Sequence, residues 1–180
     1  GVTLTMAATG ASQMRFRNEG SGSWSNYETY GTDKSWTLQN TQGSRTVHVQ
    51  FKDLAGNETS GLTSDVILLD TLAPTGLSIS IDGGEVYTKS TGVMLTLTAN
   101  GASQMRFRNE ASGTWSNYET YATGKSWILN NIQGSRTVYV QFKDLAGNET
   151  GGSTSDAIIL DTLVPMGLSI LIDDDATYAN

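Results

Sequence analysis

Residues 43–52 read GSRTVHVQFK, and this stretch decides the fold. Its apolar side chains Val47, Val49 and Phe51 alternate with polar ones. An alternation with a period of two places the apolar residues on one face of a β-strand and the polar residues on the other. The stretch is therefore predicted to be a half-buried antiparallel strand with one face on a core.

The same alternation recurs in other short segments, for example residues 2–6 and 77–81. Turn signals rich in Gly, Ser and Asn separate these segments every 8–12 residues or so. About seven short strands per copy of the repeat predict an all-β fold, a tandem of Ig-like β-sandwiches with Greek-key connections. The apolar run at residues 66–69 is expected to close each copy as a more fully buried strand.

The chain contains two copies of one segment. Residues 43–52 return as 134–143 with a single change, His48 to Tyr139. Aligned as a whole, residues 1–89 match residues 92–180 at about 64 of 89 positions. A period of this length suits one small domain per copy and is too long for a solenoid repeat. The chain is therefore expected to be an array of like domains.

The chain has two prolines, Pro74 and Pro165, and they predict the domain boundaries. Proline ends a strand and stiffens a linker. If each domain begins at a proline, residues 1–73 form an Ig-like domain without its first strand. Residues 74–164 then form a complete domain, and residues 165–180 form a spare first strand.

The spare strand is predicted to be an assembly element, with Leu168, Ile170 and Ile172 on its apolar face. An exposed sheet edge accepts an added strand. The strand of one molecule would then complete the deficient domain of the next, and repeated head-to-tail contacts would form an open filament. Two alternatives stay open: residues 1–180 are cut from a longer array, or the segment from Gly1 onward supplies its own edge.

Composition narrows the range of partners. The chain has 11 Lys and Arg against 18 Asp and Glu, a net charge of −7. Nucleic acids and anionic membranes call for basic patches, so we expect no nucleic-acid partner. The chain has no cysteine, which excludes disulfides and thiolate metal sites. No apolar run approaches the roughly 20 residues of a membrane span, so none is predicted.

The segment 43–57, followed by 65–75, resembles the tandem Ig-like repeats of large bacterial cell-surface and adhesin proteins. The same signature recurs at residues 134–148 and 156–165. The resemblance implies an extracellular stalk, a string of sandwiches that holds a binding domain away from the cell. It also implies that the partners are adjacent domains of the same array or neighbouring subunits, with joints that Ca²⁺ stiffens in some of these proteins.

Oxygen-bearing side chains cluster in two places and predict a calcium site. Hard cations bind several such oxygens. One cluster follows the strand at 43–52, and the other lies at the linkers. The alternative for the first cluster is a hairpin turn, because Gly and Asn tolerate positive φ. The candidate ligands are Asp53, Asn57, Glu58, Asp70 and Asp82, with Asp144, Asn148, Glu149, Asp161 and Asp173 in the second copy.

Aromatic residues are dense in each copy. Trp24 and Tyr27, repeated as Trp115 and Tyr118, are candidates for a platform that stacks sugar rings. The alternative is a structural role, since Ig-like cores use a buried tryptophan.

No catalytic residues are predicted. The chain has a single histidine, His48, on the outward face of its strand, and Tyr139 replaces it in the second copy. A catalytic role shared by both copies is thereby excluded. The sequence predicts a non-catalytic structural repeat of an extracellular surface protein or fibre. The alternative is an adhesin module that binds carbohydrate or a host protein.

Overall fold

The computed structural model describes residues 1–171. The chain divides into two compact units, called unit 1 (Gly1–Thr71) and unit 2 (from Leu72 onward). Within residues 1–171 the regular structure is β-strand, apart from one 3₁₀ turn at Asp82–Gly84, and there is no α-helix. No helix in that part of the chain is long and apolar enough to cross a membrane. The all-β prediction is confirmed.

Unit 1 has six strands, which form two sheets. The strands are β1 Val2–Thr5, β2 Gln13–Asn18, β3 Glu28–Thr29, β4 Asp33–Trp36, β5 Gly43–Lys52 and β6 Thr63–Leu69. The smaller sheet pairs β1 with β4, and the larger one has the order β3-β2-β5-β6. Every pairing is antiparallel.

Unit 2 has eight strands. They are β7 Thr75–Ile81, β8 Tyr87–Thr88, β9 Gly92–Asn100, β10 Gln104–Asn109, β11 Glu119–Thr120, β12 Gly124–Ile128, β13 Gly134–Lys143 and β14 Thr154–Leu160. One sheet has the order β12-β9-β7 and the other β11-β10-β13-β14-β8. The β14–β8 pairing is parallel, and the others are antiparallel. Strands β9 to β14 repeat β1 to β6, so β7 and β8 have no counterpart among the described residues of unit 1.

The alternation in β5 produces the core of unit 1. Val47, Val49 and Phe51 are buried, together with Phe16 and Met14 of β2. These apolar residues face the smaller sheet, and a partly buried tryptophan closes the contact: the Trp36 ring lies 5.3 Å from that of Phe16. The indole N–H of Trp36 donates to Asn18 Oδ1 over 2.8 Å, so its polar end has a partner.

The core of unit 2 is larger because β7 contributes to it. Ile79 and Ile81 of β7 are buried, and they lie opposite Leu97 and Leu95 of β9. Strand β9 buries its apolar face, whereas the corresponding residues of β1 are only partly buried. The third strand of the smaller sheet thus shields the core from solvent on this side of the sandwich.

The expectation that residues 66–69 form a more fully buried strand is wrong for unit 1. Ile67 of β6 is 47% exposed and Leu68 is 71% exposed, whereas Ile158, which corresponds to Ile67, is 1% exposed. In unit 2 two neighbours cover β14: β8 pairs with it, and the Ile81 N–H of β7 donates to its Asp156 Oδ2 over 2.8 Å. Without such a neighbour, β6 leaves apolar side chains in solvent.

A matched pair of substitutions tests this difference. Ile158→Ala removes a fully buried side chain and should lower the free energy of unfolding of unit 2 by about 2–5 kcal/mol. Ile67→Ala, the same change at the same position of unit 1, should cost less than about 1.5 kcal/mol, because the side chain is already half in water. Denaturant unfolding of each variant measures both values. Equal losses would contradict the assignment of the two environments.

Candidate functional site

Unit 1 has an open apolar groove between β1 and β6. Its volume is about 230 Å³. Its floor is the core itself, and its polar rim comes from the start of β6. The apolar lining residues are Leu4, Met6, Phe16, Val47, Val49 and Phe51, and those of the rim include Thr63, Ser64 and Asp65.

In unit 2, β7 occupies the corresponding place. It pairs with β9, placing Ile79 opposite Leu97 and Ile81 opposite Leu95. On its other side it reaches β14 through the hydrogen bond from Ile81 to Asp156. The groove of unit 1 therefore lies where β7 lies in unit 2. Among the described residues β1 pairs with β4 alone, so its other edge is not hydrogen-bonded to a strand.

Asp65 of unit 1 corresponds to Asp156. It lines the groove, and its Oδ1 accepts the backbone N–H of Val66 over 2.9 Å. In unit 2 the corresponding carboxylate accepts an N–H from the incoming strand. Sequence reasoning missed Asp65. The repeat could have pointed to it, because an aspartate stands at the same position of both copies.

The predicted assembly strand is exposed. Leu168 is 84% exposed and Ile170 is 89% exposed, and residues 166–171 belong to no strand. Ile172, the third predicted residue, lies outside the described residues. The described part of this segment thus presents its apolar residues to solvent without a partner strand.

A ladder of alternating cations and rings covers the outer face of the larger sheet in unit 1. Lys52 Nζ lies 3.9 Å from the centre of the Tyr27 ring, and the Arg15 guanidinium lies 4.5 Å from the same ring. Arg15 also lies 5.1 Å from Trp24, and Arg17 follows at 4.7 Å. Because Arg15 and Arg17 are two residues apart on one face of β2, the Trp24 ring that contacts both lies between them.

Unit 2 repeats the ladder and extends it. Arg106 lies 4.6 Å from Tyr118 and 5.2 Å from Trp115, and Lys143 lies 4.0 Å from Tyr118. Arg108 then contacts Trp115 at 4.6 Å and Tyr139 at 5.0 Å. Tyr139 replaces His48, so the second copy has one ring more.

Local hydrogen bonds hold the ladder in place. The loop after β2 returns alongside that strand: Ser25 N–H donates to the Phe16 carbonyl over 2.7 Å, and Phe16 N–H donates to Ser25 Oγ over 3.0 Å. This brings Trp24 and Tyr27 onto the outer face. Gln50 Oε1 accepts two N–H groups of Arg15, at 2.9 and 2.6 Å.

The ladder bears on the predicted sugar platform. A sugar stacks on the face of an aromatic ring, and each of these rings has two cations over it. Burial raises the pKa of the Tyr27 and Tyr118 phenols above the usual value. The geometry favours the structural alternative. Binding of sugar by Trp24, Tyr27, Trp115 or Tyr118 stays a prediction without support from their contacts.

Sequence reasoning also missed the cations of the ladder. The cations point outward from strands whose polar and apolar residues alternate: Arg15 and Arg17 from β2, and Lys52 from β5. Charged residues on the solvent face of a sheet are ordinary. The available signal was their recurrence beside the same aromatic residues in both copies.

Matched arginine substitutions test the ladder. Arg108→Gln removes a cation from two rings and should cost unit 2 about 1–2 kcal/mol, since an exposed cation–π contact contributes about 0.5–1 kcal/mol. Arg17→Gln removes the corresponding cation from Trp24 alone and should cost unit 1 about half as much. Denaturant unfolding gives both values. An equal cost at the two positions would show that the Tyr139 ring contributes nothing.

The residues of the first predicted calcium cluster form a turn, and their side chains make hydrogen bonds and an ion pair. Asp53 accepts the Asn57 backbone N–H at Oδ1 and the Asn57 side-chain amide at Oδ2, each over 2.8 Å. These bonds, the side-chain one foremost, hold the pKa of Asp53 below its usual range. Glu58 is turned away into a 3.5 Å ion pair with Arg15. Gly56 has φ 92°, the conformation expected for the turn alternative.

The second copy has the same arrangement. Asp144 accepts both N–H groups of Asn148 over 2.8 Å, which lowers the pKa of Asp144 in the same way. Glu149 pairs with Arg106 over 3.6 Å. Asp144 is buried whereas Asp53 is not, although the two loops have the same sequence.

The predicted carboxylates near the linkers are also engaged. Asp82 Oδ1 accepts the Met94 N–H over 2.7 Å, and Asp161 Oδ1 accepts the Leu163 N–H over 3.0 Å. Asp70 has an interaction partner as well. Asp173 lies outside the described residues. Within residues 1–171 no three His, Cys, Asp or Glu side chains form a group that could hold a metal ion. Calcium at the joints therefore stays a prediction.

Comparison with known proteins supports the fold. No family model matches the chain, and no curated protein matches it. Among solved structures, the chain is similar to the fibronectin(III)-like modules of Clostridium thermocellum CbhA, with a TM-score of 0.53 and 14% identity. That similarity covers 93% of this chain and 88% of the other.

A second solved structure, the central fibronectin-III array of RIM-binding protein, matches with a TM-score of 0.34 and 10% identity, over 88% of this chain and 61% of that one. This value is too low to support an argument. The first match, at its low identity, shows the fold alone. The chain is thus a pair of β-sandwich modules of the Ig-like and fibronectin-III-like kind.

Proposed function

We propose that this chain is a non-catalytic structural repeat of an extracellular surface protein or fibre, in which successive sandwiches act as spacers. The observation that carries this proposal is the duplicated structural framework. The ladder and the Asp–Asn turn recur with nearly the same distances in both units.

One ion pair is duplicated as well. Lys34 lies 2.7 Å from Glu28, and Lys125 lies 2.7 Å from Glu119. The duplicated groups are those that hold a sandwich together. These duplicated contacts all lie within a single unit, which supports a spacer role.

The alternative, an adhesin module that binds carbohydrate or a host protein, has less support. Its candidate rings at Trp24 and Tyr27 are stacked against cations. The groove beside β1 is lined mainly by apolar side chains, with polar residues at its rim. Such a groove suits a β-strand better than a sugar.

Labelling of intact cells tests the proposed location and role. Antibodies raised against residues 1–180 should bind intact, unpermeabilised cells that produce the protein, and brief proteolysis of those cells should release peptides from both repeats. A cytoplasmic protein of the same organism serves as the control for leakage. Labelling that appears only after permeabilisation would overturn the proposal of an extracellular spacer.

A further inference from the structure

We propose that the free edge of β12 in unit 2 is a docking site for the same strand of a second copy of this chain. The two strands would run antiparallel about a two-fold axis and join two three-stranded sheets into one sheet of six strands. This goes beyond the proposed spacer function, because it is a lateral contact between copies in solution. It rests on β9 and β12, whose counterparts β1 and β4 are both present in unit 1.

The first argument is that β12 has an unpaired edge. Among the described residues β12 pairs with β9 alone. The Leu97 N–H donates to the Thr123 carbonyl across this pairing over 2.8 Å, so the odd-numbered residues of β12 direct their backbone groups to β9. Because these directions alternate along an antiparallel strand, the backbone groups of Gly124, Ser126 and Ile128 point to the free edge. Such an edge is a template for another strand.

The second argument is that unit 2 lacks the charge that protects this edge in unit 1. Strand β4 begins at Asp33, an exposed carboxylate that accepts the Thr5 hydroxyl over 3.0 Å. Gly124 stands at the same position of β12. Charged side chains on edge strands discourage pairing with other chains. The edge is therefore protected in unit 1 and unprotected in unit 2.

The third argument is that apolar side chains replace threonines beside this edge. Met94 is 50% exposed and Ile128 is 66% exposed, and the corresponding residues of unit 1 are Thr3 and Thr37. The register of β9 with β12 makes Met94 and Ile128 diagonal neighbours on the outer face of the sheet. Since unit 1 folds with threonine at both positions, the fold does not require the apolar residues. A partner strand at the edge would cover Ile128, with Met94 beside it.

The fourth argument is that β12 is complementary to itself. A two-fold axis at the middle of the strand places Gly124 opposite Ile128 of the second copy, and the glycine leaves room for the larger side chain. Lys125 falls opposite Trp127, so no two lysines face each other. The Ile128 carbonyl accepts the Asn109 side-chain amide over 2.9 Å and keeps its second lone pair for the other copy.

The fifth argument is charge, which favours a second copy as the occupant. The chain has a net charge of −7, so two copies repel each other wherever their carboxylates meet. The outward side chains of this three-stranded sheet are uncharged, and a charged partner finds nothing there to recognise. They include Ser78, Ser80, Met94, Thr96, Thr98, Ser126 and Ile128.

Sedimentation velocity of the full chain over a range of concentrations tests the proposal. The wild-type chain should shift from monomer to dimer and grow no further, because an isologous contact closes on itself. Gly124→Asp gives unit 2 the residue of unit 1 and should weaken dimerisation at least about tenfold, since it sets a carboxylate against Ile128. The variant should keep its fold, because a Cβ at Gly124 meets nothing within 4 Å.

Ser78→Asp is the matched control. It adds the same charge to the same outer face, but on β7, two strands away from the edge. It should change the association constant by no more than about threefold. An equal loss in both variants would show that net charge alone decides association and would overturn the proposal. A wild-type chain that stays monomeric at its highest soluble concentration, or that grows beyond a dimer, also overturns it.

Disulfide trapping tests the position of the axis, because the chain has no cysteine of its own. In the proposed pairing Ser126→Cys lies opposite its own copy at a Cα separation of about 5.5 Å, within disulfide range. It should form a covalent dimer on mild oxidation. Ser35→Cys, the same change at the same position of unit 1, should cross-link at least about tenfold more slowly, because Asp33 protects that edge. Equal rates would show that the differences between the units do not decide the contact, and would overturn the proposal.

The outcome is independent of where the protein is located. None of these results changes the expected labelling of intact cells. Failure of this proposal is therefore distinguishable from failure of the proposed function.

Discussion

The burial of one sheet edge against a third strand is the constraint on which the rest of this structure depends. In unit 2, β7 pairs with β9 at the edge of the smaller sheet and donates one hydrogen bond to Asp156 of β14, and Ile158 is 1% exposed. In unit 1 no described residue fills that place, and Ile67 is 47% exposed. Since the two units otherwise share most of their sequence, the difference in their cores follows from β7 and from β8, which pairs with β14.

The duplicated features are interactions that each sandwich makes within itself. The cation–ring ladder, the Asp–Asn turn and the Lys–Glu pair have nearly equal distances in both units. They form within a unit whether or not its third strand is present. The outer face of the larger sheet is therefore locally determined, whereas closure of the smaller sheet's edge depends on a third strand, which β7 supplies in unit 2.

The sequence predicts the strands where one face meets a core within its own copy. The alternation in residues 43–52 correctly places Val47, Val49 and Phe51 inside. It fails for residues 66–69, because their burial depends on a neighbouring strand and not on their own pattern. The ladder was not predicted, since a loop brings Trp24 and Tyr27 beside Arg15 through hydrogen bonds that periodicity does not encode. The carboxylate clusters were predicted as metal sites, but in the described residues their oxygens accept hydrogen bonds within turns and from strand N–H groups.

Amide hydrogen exchange with and without a synthetic peptide of residues 164–180 tests the central claim most directly. Exchange at the free edge of β1 and along β6 should slow towards the rates at β9 and β14 when the peptide is in excess, while unit 2 stays unchanged. The peptide with Ile170→Asp should have no effect. Rates at β1 and β6 that do not respond to the wild-type peptide would contradict the claim that a third strand closes this edge of the sandwich.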